Sequence, residues 1–128
     1  MLQQLAELHK QCFPERPWGA DEFADLQKAG CDVVGSQNGF IVYRATLDEA
    51  ELISIGVAPG ARGGGIAQAM LGIMEADLKK RGVKKIFLEV AENNAPARRL
   101  YEKCGYVQIG RRPKYYNGID AIMMEKTL

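Results

Sequence analysis

A glycine-rich segment, residues 60–65, joins two runs of different periodicity and constrains the fold more than any other stretch of the chain. Residues 51–57 before it are β-rich. From Ile66 onward, apolar side chains recur at helical spacing as far as a basic end and Gly82, which suits a left-handed cap. Residues 85–91 then return to a buried-looking strand. A strand, a helix and a strand in this order predict a β-α-β crossover between neighbouring parallel strands.

The other periodic runs flank this crossover on both sides. Asn-Gly pairs at 38–39 and 117–118 predict turns between β-rich runs. Asn94 suits a helix N-cap with Pro96 in the first turn. The order predicts a mixed α/β (α+β) fold with helices on both faces of one sheet. The predicted elements are helices to Cys12 and over 20–26, strands 31–36, 40–46 and 51–57, a helix from Ile66, strand 85–91, a helix to Lys103, and strands 106–112 and 119–126.

Length and composition are those of an ordinary globular protein. The 128 residues suit one domain, residues 1–128, and 47% hydrophobic with 26% charged residues are enough for a core without metal or disulfides. Seventeen basic residues nearly balance sixteen acidic ones. A dedicated nucleic-acid binder needs clustered positive charge, so we expect no direct nucleic-acid partner.

The cysteines, the apolar runs and the single histidine limit location and chemistry. Three cysteines without a Cys-x-x-Cys pair predict free thiols, no metal site and a reducing cytoplasm. No stretch approaches the roughly 18 apolar residues of a membrane span, and the first residues do not resemble a signal peptide. We therefore predict a cytoplasmic monomer or weak homodimer with no membrane contact. His9 is predicted at a surface position of the first helix.

The start of the helix at Ile66 predicts a phosphate site, because it presents unpaired N–H groups that glycines let a ligand approach. A flexible turn without a ligand explains such a loop equally well. A Walker loop would need Gly-Lys-Ser/Thr where Ile66, Ala67 and Gln68 stand. A dinucleotide fingerprint would need a last glycine in place of Gln68, and no acidic residue suits a ribose hydroxyl. Both nucleotide motifs are therefore disfavoured.

Two motifs resemble one enzyme family. Arg62-x-x-Gly65-x-Ala67 resembles the Gln/Arg-x-x-Gly-x-Gly/Ala loop with which the GNAT superfamily of N-acetyltransferases holds the pyrophosphate of acetyl-coenzyme A. Residues 88–106 resemble a strand and the following helix of that superfamily. Within it, residues 47–124 are similar to the RimI-like enzymes, which acetylate the N-terminal alanine of a ribosomal protein. The closer similarity is carried by Leu88-Glu89-Val90, Asn94-x-x-Ala97-x-x-Leu100-Tyr101, Arg111-Arg112, Tyr115-Tyr116 and Asp120-Ala121-Ile122.

The resemblance implies a GNAT-like, mostly antiparallel mixed sheet around the central crossover, with acetyl-coenzyme A as co-substrate. Superfamily members begin with a strand before the first helix, whereas this chain starts almost inside that helix. We therefore expect the first N-terminal strand to be missing and one sheet edge to be open. By resemblance, residues 55–57 pair through their backbone with the pantetheine arm. The implied coenzyme contacts are Ile55, Gly56, Val57, Arg62, Gly63, Gly64, Gly65, Ile66, Ala67, Gln68, Asn94 and Tyr101.

The resemblance also assigns the proton transfers. Alternation alone leaves Glu89 either facing solvent or acting as a base in a cleft, and the resemblance favours a base, with a bridging water. Tyr101 lies seven residues after Asn94, and on spacing alone it is a core aromatic. The resemblance implies that its phenol, which is protonated at neutral pH, donates a proton to the coenzyme A thiolate. Gly56 indicates either a weakened strand or a bulge.

The acceptor is less defined than the donor. An α-amine has a pKa of about 8 and a lysine side chain about 10.4, so the α-amine is neutral roughly a few hundred times more often at neutral pH. This favours a protein N-terminus as acceptor. A lysine or small-molecule amine, and a non-catalytic module that binds acyl-coenzyme A, are the alternatives. Tyr115 and Tyr116, with Phe13 and Trp18 opposite, are candidate walls of a peptide channel.

Overall fold

The structure is a computed structural model that describes the backbone of residues 1–128 and every side chain except those of Tyr115 and Tyr116. Its elements follow the predicted order. The α-helices are α1 (Leu2–Cys12), α2 (Ala20–Lys28), α3 (Ile66–Lys80) and α4 (Ala95–Lys103). The strands are β1 (Asp32–Gly35), β2 (Gly39–Thr46), β3 (Glu49–Val57), β4 (Lys85–Ala91), β5 (Val107–Tyr116) and β6 (Ile119–Thr127).

The six strands form one sheet in the order β1-β2-β3-β4-β6-β5. β3 and β4 are parallel and are connected through α3, which confirms the predicted crossover. The other neighbours are antiparallel, as the resemblance implied. The turn at Asn117 and Gly118 has positive φ at both residues, the geometry that favours Asn-Gly in a tight hairpin.

The parallel pairing between β3 and β4 is short. It runs from Glu49 opposite Lys85 to Glu51 opposite Phe87, and the carboxyl halves of the two strands pair only with β2 and β6. The sheet therefore splits between β3 and β4 towards the ends from which α3 and α4 begin. In open α/β sheets, ligands bind outside such carboxyl ends.

A bulge lies in β3, but not at Gly56. Val42 pairs with Ser54 and Tyr43 pairs with Leu52, so Ile53 is the extra residue. Gly56 has a packing role instead, since a Cβ there would lie 2.6 Å from a ring carbon of Phe40. Of the two alternatives for Gly56, a bulge at that residue is therefore wrong, because the bulge lies three residues earlier and the glycine makes room for the Phe40 ring.

Helices cover both faces of the sheet, as predicted. α3 and α4 pack on one face, over a core that includes Leu71, Met74, Leu88 and Ile122. α1 and α2 pack on the other face, over β1, β2 and β3. The part of this second face formed by β4, β6 and β5 carries half-buried side chains, among them those of Phe87, Glu89 and Met123.

His9 is buried rather than exposed, so the predicted surface position is wrong. Only 3% of the residue is accessible, and its ring stacks on Trp18 with centroids 4.5 Å apart. Its Nδ1 accepts a hydrogen bond from the backbone N–H of Trp18 at 3.0 Å. Burial lowers the pKa of His9, and the carboxylate of Glu22 opposes that shift. His9 therefore attaches the loop between α1 and α2 to the sheet.

β5 extends past the predicted end at Arg112. The pairing with β6 becomes irregular there, and Lys114 takes a positive φ of 53°. Its N–H donates to Asp120 Oδ1 at 2.9 Å, which compensates the local loss of ladder bonds. In the described part of the chain, no helix is long and apolar enough to cross a membrane.

Candidate active site

The predicted phosphate loop lies where β3 ends and α3 begins. Gly65 is the N-cap of α3 with a φ of +82°, and Gly63 has a φ of +85°. No described side chain caps this helix start, and its first turn holds no acidic residue. A Cβ added at either glycine would meet nothing within 4 Å, so the space beside the loop is open. Uncapped N–H groups at the positive end of a helix fit an anionic group such as a pyrophosphate.

Arg62 ties this loop to its surroundings. Its Nε donates to the backbone oxygen of Val57, the last residue of β3, at 3.1 Å. The charge of this guanidinium also acts on the Cys12 thiol at the end of α1. Burial raises the pKa of Cys12, and the Arg62 charge opposes that shift. The bond from Arg62 to Val57 thus ties the loop to the end of β3.

We call the cavity beside this segment the loop cleft. It has a volume of about 320 Å³ and lies between the start of α3 and the first turns of α4. Pro96 and Leu100 of α4 form one wall, which sequence reasoning did not assign. The cleft brings together most of the predicted loop ligands: it is lined by Val57, Ala61, Arg62, Gly63, Gly65, Ile66, Ala67, Gln68, Pro96 and Leu100.

A second cavity, the Glu89 cleft, has a volume of about 600 Å³. The Glu89 side chain is 23% exposed and points away from α3, because its strand neighbours Leu88 and Val90 are buried against that helix. Of the two alternatives for Glu89, the structure favours a carboxylate in a cleft. The cleft is lined by Arg44, Thr46, Glu49, Ala50, Glu51, Phe87, Leu88, Glu89, Ile109, Arg112, Met123 and Met124.

Glu89 has an ionic partner that the sequence did not reveal. Arg112 Nη2 of β5 lies 2.7 Å from Glu89 Oε1. The neighbouring Arg111 points to the other face, where it pairs with Glu92 at 2.8 Å and Asp120 at 3.0 Å. The signal for this difference is strand alternation, which separates two adjacent arginines that look equivalent in the sequence.

Neither Tyr101 nor Asn94 is among the residues that line the two clefts as the structure describes them. Tyr101 is 6% exposed and packs edge-on against Tyr106, with centroids 5.9 Å apart, so its ring is part of the core. Asn94 caps α4, as predicted, and its side chain accepts the Ala97 N–H at 3.3 Å. Their coenzyme contacts, like all the coenzyme contacts that the resemblance implies, stay predictions.

The proposed walls of a peptide channel also stay predictions. The side chains of Tyr115 and Tyr116 lie outside the described part of the structure. Trp18 is stacked on His9, and Phe13 is 40% exposed at the end of α1. Neither lines one of the two clefts as the structure describes them.

Comparison with known proteins identifies the family. The model of the acetyltransferase (GNAT) family matches residues 2–106. The chain belongs to the GNAT acetyltransferase family. The glycine-rich loop at the start of α3 and the split between β3 and β4 are therefore features of a GNAT domain, and the predicted resemblance is confirmed.

Two curated GNAT relatives carry the same name, [ribosomal protein bS18]-alanine N-acetyltransferase. The protein from Haemophilus influenzae is 41% identical over 78 residues, which cover 61% of this chain and 53% of the relative. The protein from Escherichia coli is 36% identical over 109 residues, which cover 81% and 74%. The match thus spans about half the length of the first relative and three quarters of the second.

Solved structures agree with this placement. The crystal structure of the ribosomal-protein-S18-alanine N-acetyltransferase from Escherichia coli superposes with a TM-score of 0.88 at 31% identity, covering 98% of this chain and 86% of that one. A GNAT family acetyltransferase from Elizabethkingia anophelis, solved with acetyl-CoA bound, shares the fold with a TM-score of 0.76 at 18% identity, covering 95% and 89%. Among the residues described here, no group of three or more His, Cys, Asp or Glu could hold a metal ion.

Proposed function

We propose that this GNAT domain transfers the acetyl group of acetyl-coenzyme A directly to the N-terminal α-amine of a ribosomal protein, an alanine as in its relatives' names. The observation that supports this best is the pair of clefts. The uncapped start of α3 opens on the loop cleft, and the half-buried carboxylate of Glu89 on β4 opens on the Glu89 cleft. Two substrates can therefore approach from two sides and meet at the split between β3 and β4.

The donor is assigned to the loop cleft. Backbone N–H groups of residues 63–68 would bind the pyrophosphate, with Arg62 beside them. Ile55–Val57 would add the pantetheine arm as an extra strand, since β4 does not pair with them and their outer edge faces the split. Asn94 at the start of α4 would contact the same arm from the opposite side.

The acceptor amine is assigned to the Glu89 cleft. Glu89 removes the amine proton, through a bridging water, as the nitrogen forms its bond to the acetyl carbon. The bond from that carbon to sulfur breaks, and Tyr101, to which the family resemblance gives this role although its ring packs in the core, would supply a proton to the departing thiolate. The Val57 N–H would stabilise the negative charge that develops on the acetyl oxygen.

A thiol-release assay tests this proposal. The substrates are a peptide with a free N-terminal alanine and the same peptide blocked at its N-terminus but carrying one lysine, beside polyamines and peptides that begin with Ser and Met. We expect release with the free alanine peptide and little with the blocked one.

Faster reaction with the lysine peptide or a polyamine would move the acceptor to one of the alternative classes. Ligand-dependent thermal stabilisation by acetyl-coenzyme A without release on any amine would leave a non-catalytic binding module. Cytoplasmic location and a monomer or weak homodimer stay predictions from the sequence.

A further inference from the structure

The carboxylate of Glu89 is already paired in the cleft assigned to the amine. Arg112 Nη2 lies 2.7 Å from Glu89 Oε1, and both residues line the Glu89 cleft. The Arg112 side chain is 51% exposed. An ion pair with one exposed partner contributes little to folding stability, so we expect this pair to open readily and the fold to survive its removal.

Other charges lie near the pair on two further strands, β2 and β3. Arg44 of β2 lies beside Glu51 of β3 as its cross-strand neighbour, and Glu49 adds a further carboxylate. The cleft therefore holds two arginines against three glutamates, and one against three when Arg112 is removed. Without Arg112, the cleft attracts cations more strongly.

An amine can occupy such a cleft in two forms. At neutral pH an α-amine, with a pKa of about 8, is mostly an ammonium. The ammonium suits a carboxylate as an ionic partner, but it has no lone pair and does not attack a thioester. Its binding to Glu89 forms a dead-end complex. Arg112 occupies the same carboxylate oxygen and repels a second cation.

We propose that Arg112 excludes the ammonium form of the acceptor from Glu89, so that the amine beside the base is the neutral nucleophile. This inference rests on the proposed function with Glu89 as the base. Arg112 then selects the neutral amine over the ammonium form of the same substrate.

The proposal has a kinetic signature. Dead-end binding lowers kcat and the acceptor KM by the same factor and leaves kcat/KM unchanged, whereas damage to the site lowers kcat/KM. For Arg112→Gln at pH 7 we expect kcat and KM to fall together by about threefold to fivefold, the range of one exposed charge pair.

Two variants serve as controls. Arg112→Lys keeps the positive charge and should restore both constants to near the wild-type values. Arg111→Gln removes the adjacent arginine, whose partners Glu92 and Asp120 lie on the opposite face. It removes two ionic contacts on that face, yet it should leave the acceptor constants unchanged.

A binding measurement separates this inference from turnover. Calorimetry at pH 7 with protein saturated with coenzyme A should show the free alanine peptide binding threefold to fivefold tighter to Arg112→Gln than to wild type (about the effect of one charge pair). The N-acetylated peptide should bind both proteins equally.

A rise in KM, a loss of kcat/KM, failure of Arg112→Lys to restore the constants, or equal peptide affinities would overturn the inference. A wild-type protein that releases no thiol with any peptide would instead overturn the proposed function. In that case the calorimetric comparison still decides whether Arg112 excludes the ammonium.

Discussion

The loop cleft and the Glu89 cleft are built from different parts of the chain. The loop cleft is shaped largely by backbone, through two left-handed glycines and an uncapped helix start. The Glu89 cleft is shaped by long charged side chains that reach over the sheet from β2, β3 and β5. A cleft shaped by backbone suits one anionic group of fixed geometry, whereas exchangeable ion pairs suit the proposed acceptor, an amine that is mostly charged at neutral pH but reacts in its neutral form.

The largest effect should come from the side-chain cleft. Glu89→Gln keeps the size of the side chain but removes the base, so kcat should fall by about 10² to 10³. Acetyl-coenzyme A should bind as before, because Glu89 does not line the described loop cleft. Thiol release gives the first quantity and calorimetry the second. Unchanged turnover on an accepted peptide would remove Glu89 from the base role.

The second prediction concerns the close packing of Gly56 in β3 against Phe40 and Cys12. In Gly56→Ala the new methyl would lie 2.6 Å from Phe40 Cε1 and 3.0 Å from Cys12 Sγ. Such overpacking should destabilise the fold by about 1–3 kcal/mol, measured by urea unfolding. Gly72→Ala, in α3 with nothing within 4 Å, is the matched control and should stabilise by about 0.5–1 kcal/mol. Equal results for both variants would contradict the close packing at Gly56.

A backbone change should affect the donor alone. Gly65→Ala forces a side chain into a left-handed conformation at a cost of about 1–2 kcal/mol, so the free loop should leave this conformation. Binding must then restore it, and the Kd of acetyl-coenzyme A should rise roughly tenfold. Gly60→Ala, in the same segment and without a positive φ, should leave the Kd unchanged. Saturating acetyl-coenzyme A should restore the kcat of Gly65→Ala. A lasting loss of kcat would mean that the two clefts are not separable.

The smallest effect is the pH dependence at His9, which lies in neither cleft as described. Burial lowers the pKa of His9, so the unfolded chain binds the proton first as the pH falls. The stability that neutral His9 supplies is fully present above about pH 6.5 and is lost as the pH falls towards the folded pKa. The melting temperature should therefore drop by a few degrees more in wild type than in His9→Gln.

Trp18 allows a direct check of the same titration. It is the single tryptophan of the chain and stacks on His9. Its fluorescence should change with a midpoint below pH 6.5 in wild type and not change in His9→Gln. A midpoint above that value would contradict the effect of burial.

Local patterns predicted most of the fold. The Asn117-Gly118 hairpin and the crossover around α3 follow from residues that lie next to one another in the chain. The extension of β5 past Arg112 to Tyr116 could not be predicted in this way, because a proline such as Pro113 usually suggests the end of a strand. The bond from Lys114 to Asp120 that compensates there joins residues of two strands.

The site divides in the same way. The loop at Gly65 is local and was predicted from its spacing. The Glu89–Arg112 pair crosses from β4 over β6 to β5, and sequence alone does not give that register. His9 had a usable signal: it shares helical spacing with Leu5 and Leu8, the buried positions of α1. The prediction of a surface position was wrong because it relied on the polarity of the His9 side chain and not on this spacing.

The three residue pairs that join β3 to β4 have a consequence for how such a protein diversifies. They set, together with the bulge at Ile53, how far the two strands diverge before they reach the substrates. The width of the opening between the two strands is therefore set at a junction that lies outside the described lining of the loop cleft. A lineage that lengthens this junction by one residue pair narrows the opening, and one that shortens it widens the opening. The reach of the enzyme can thus evolve while every side chain that performs the chemistry is kept.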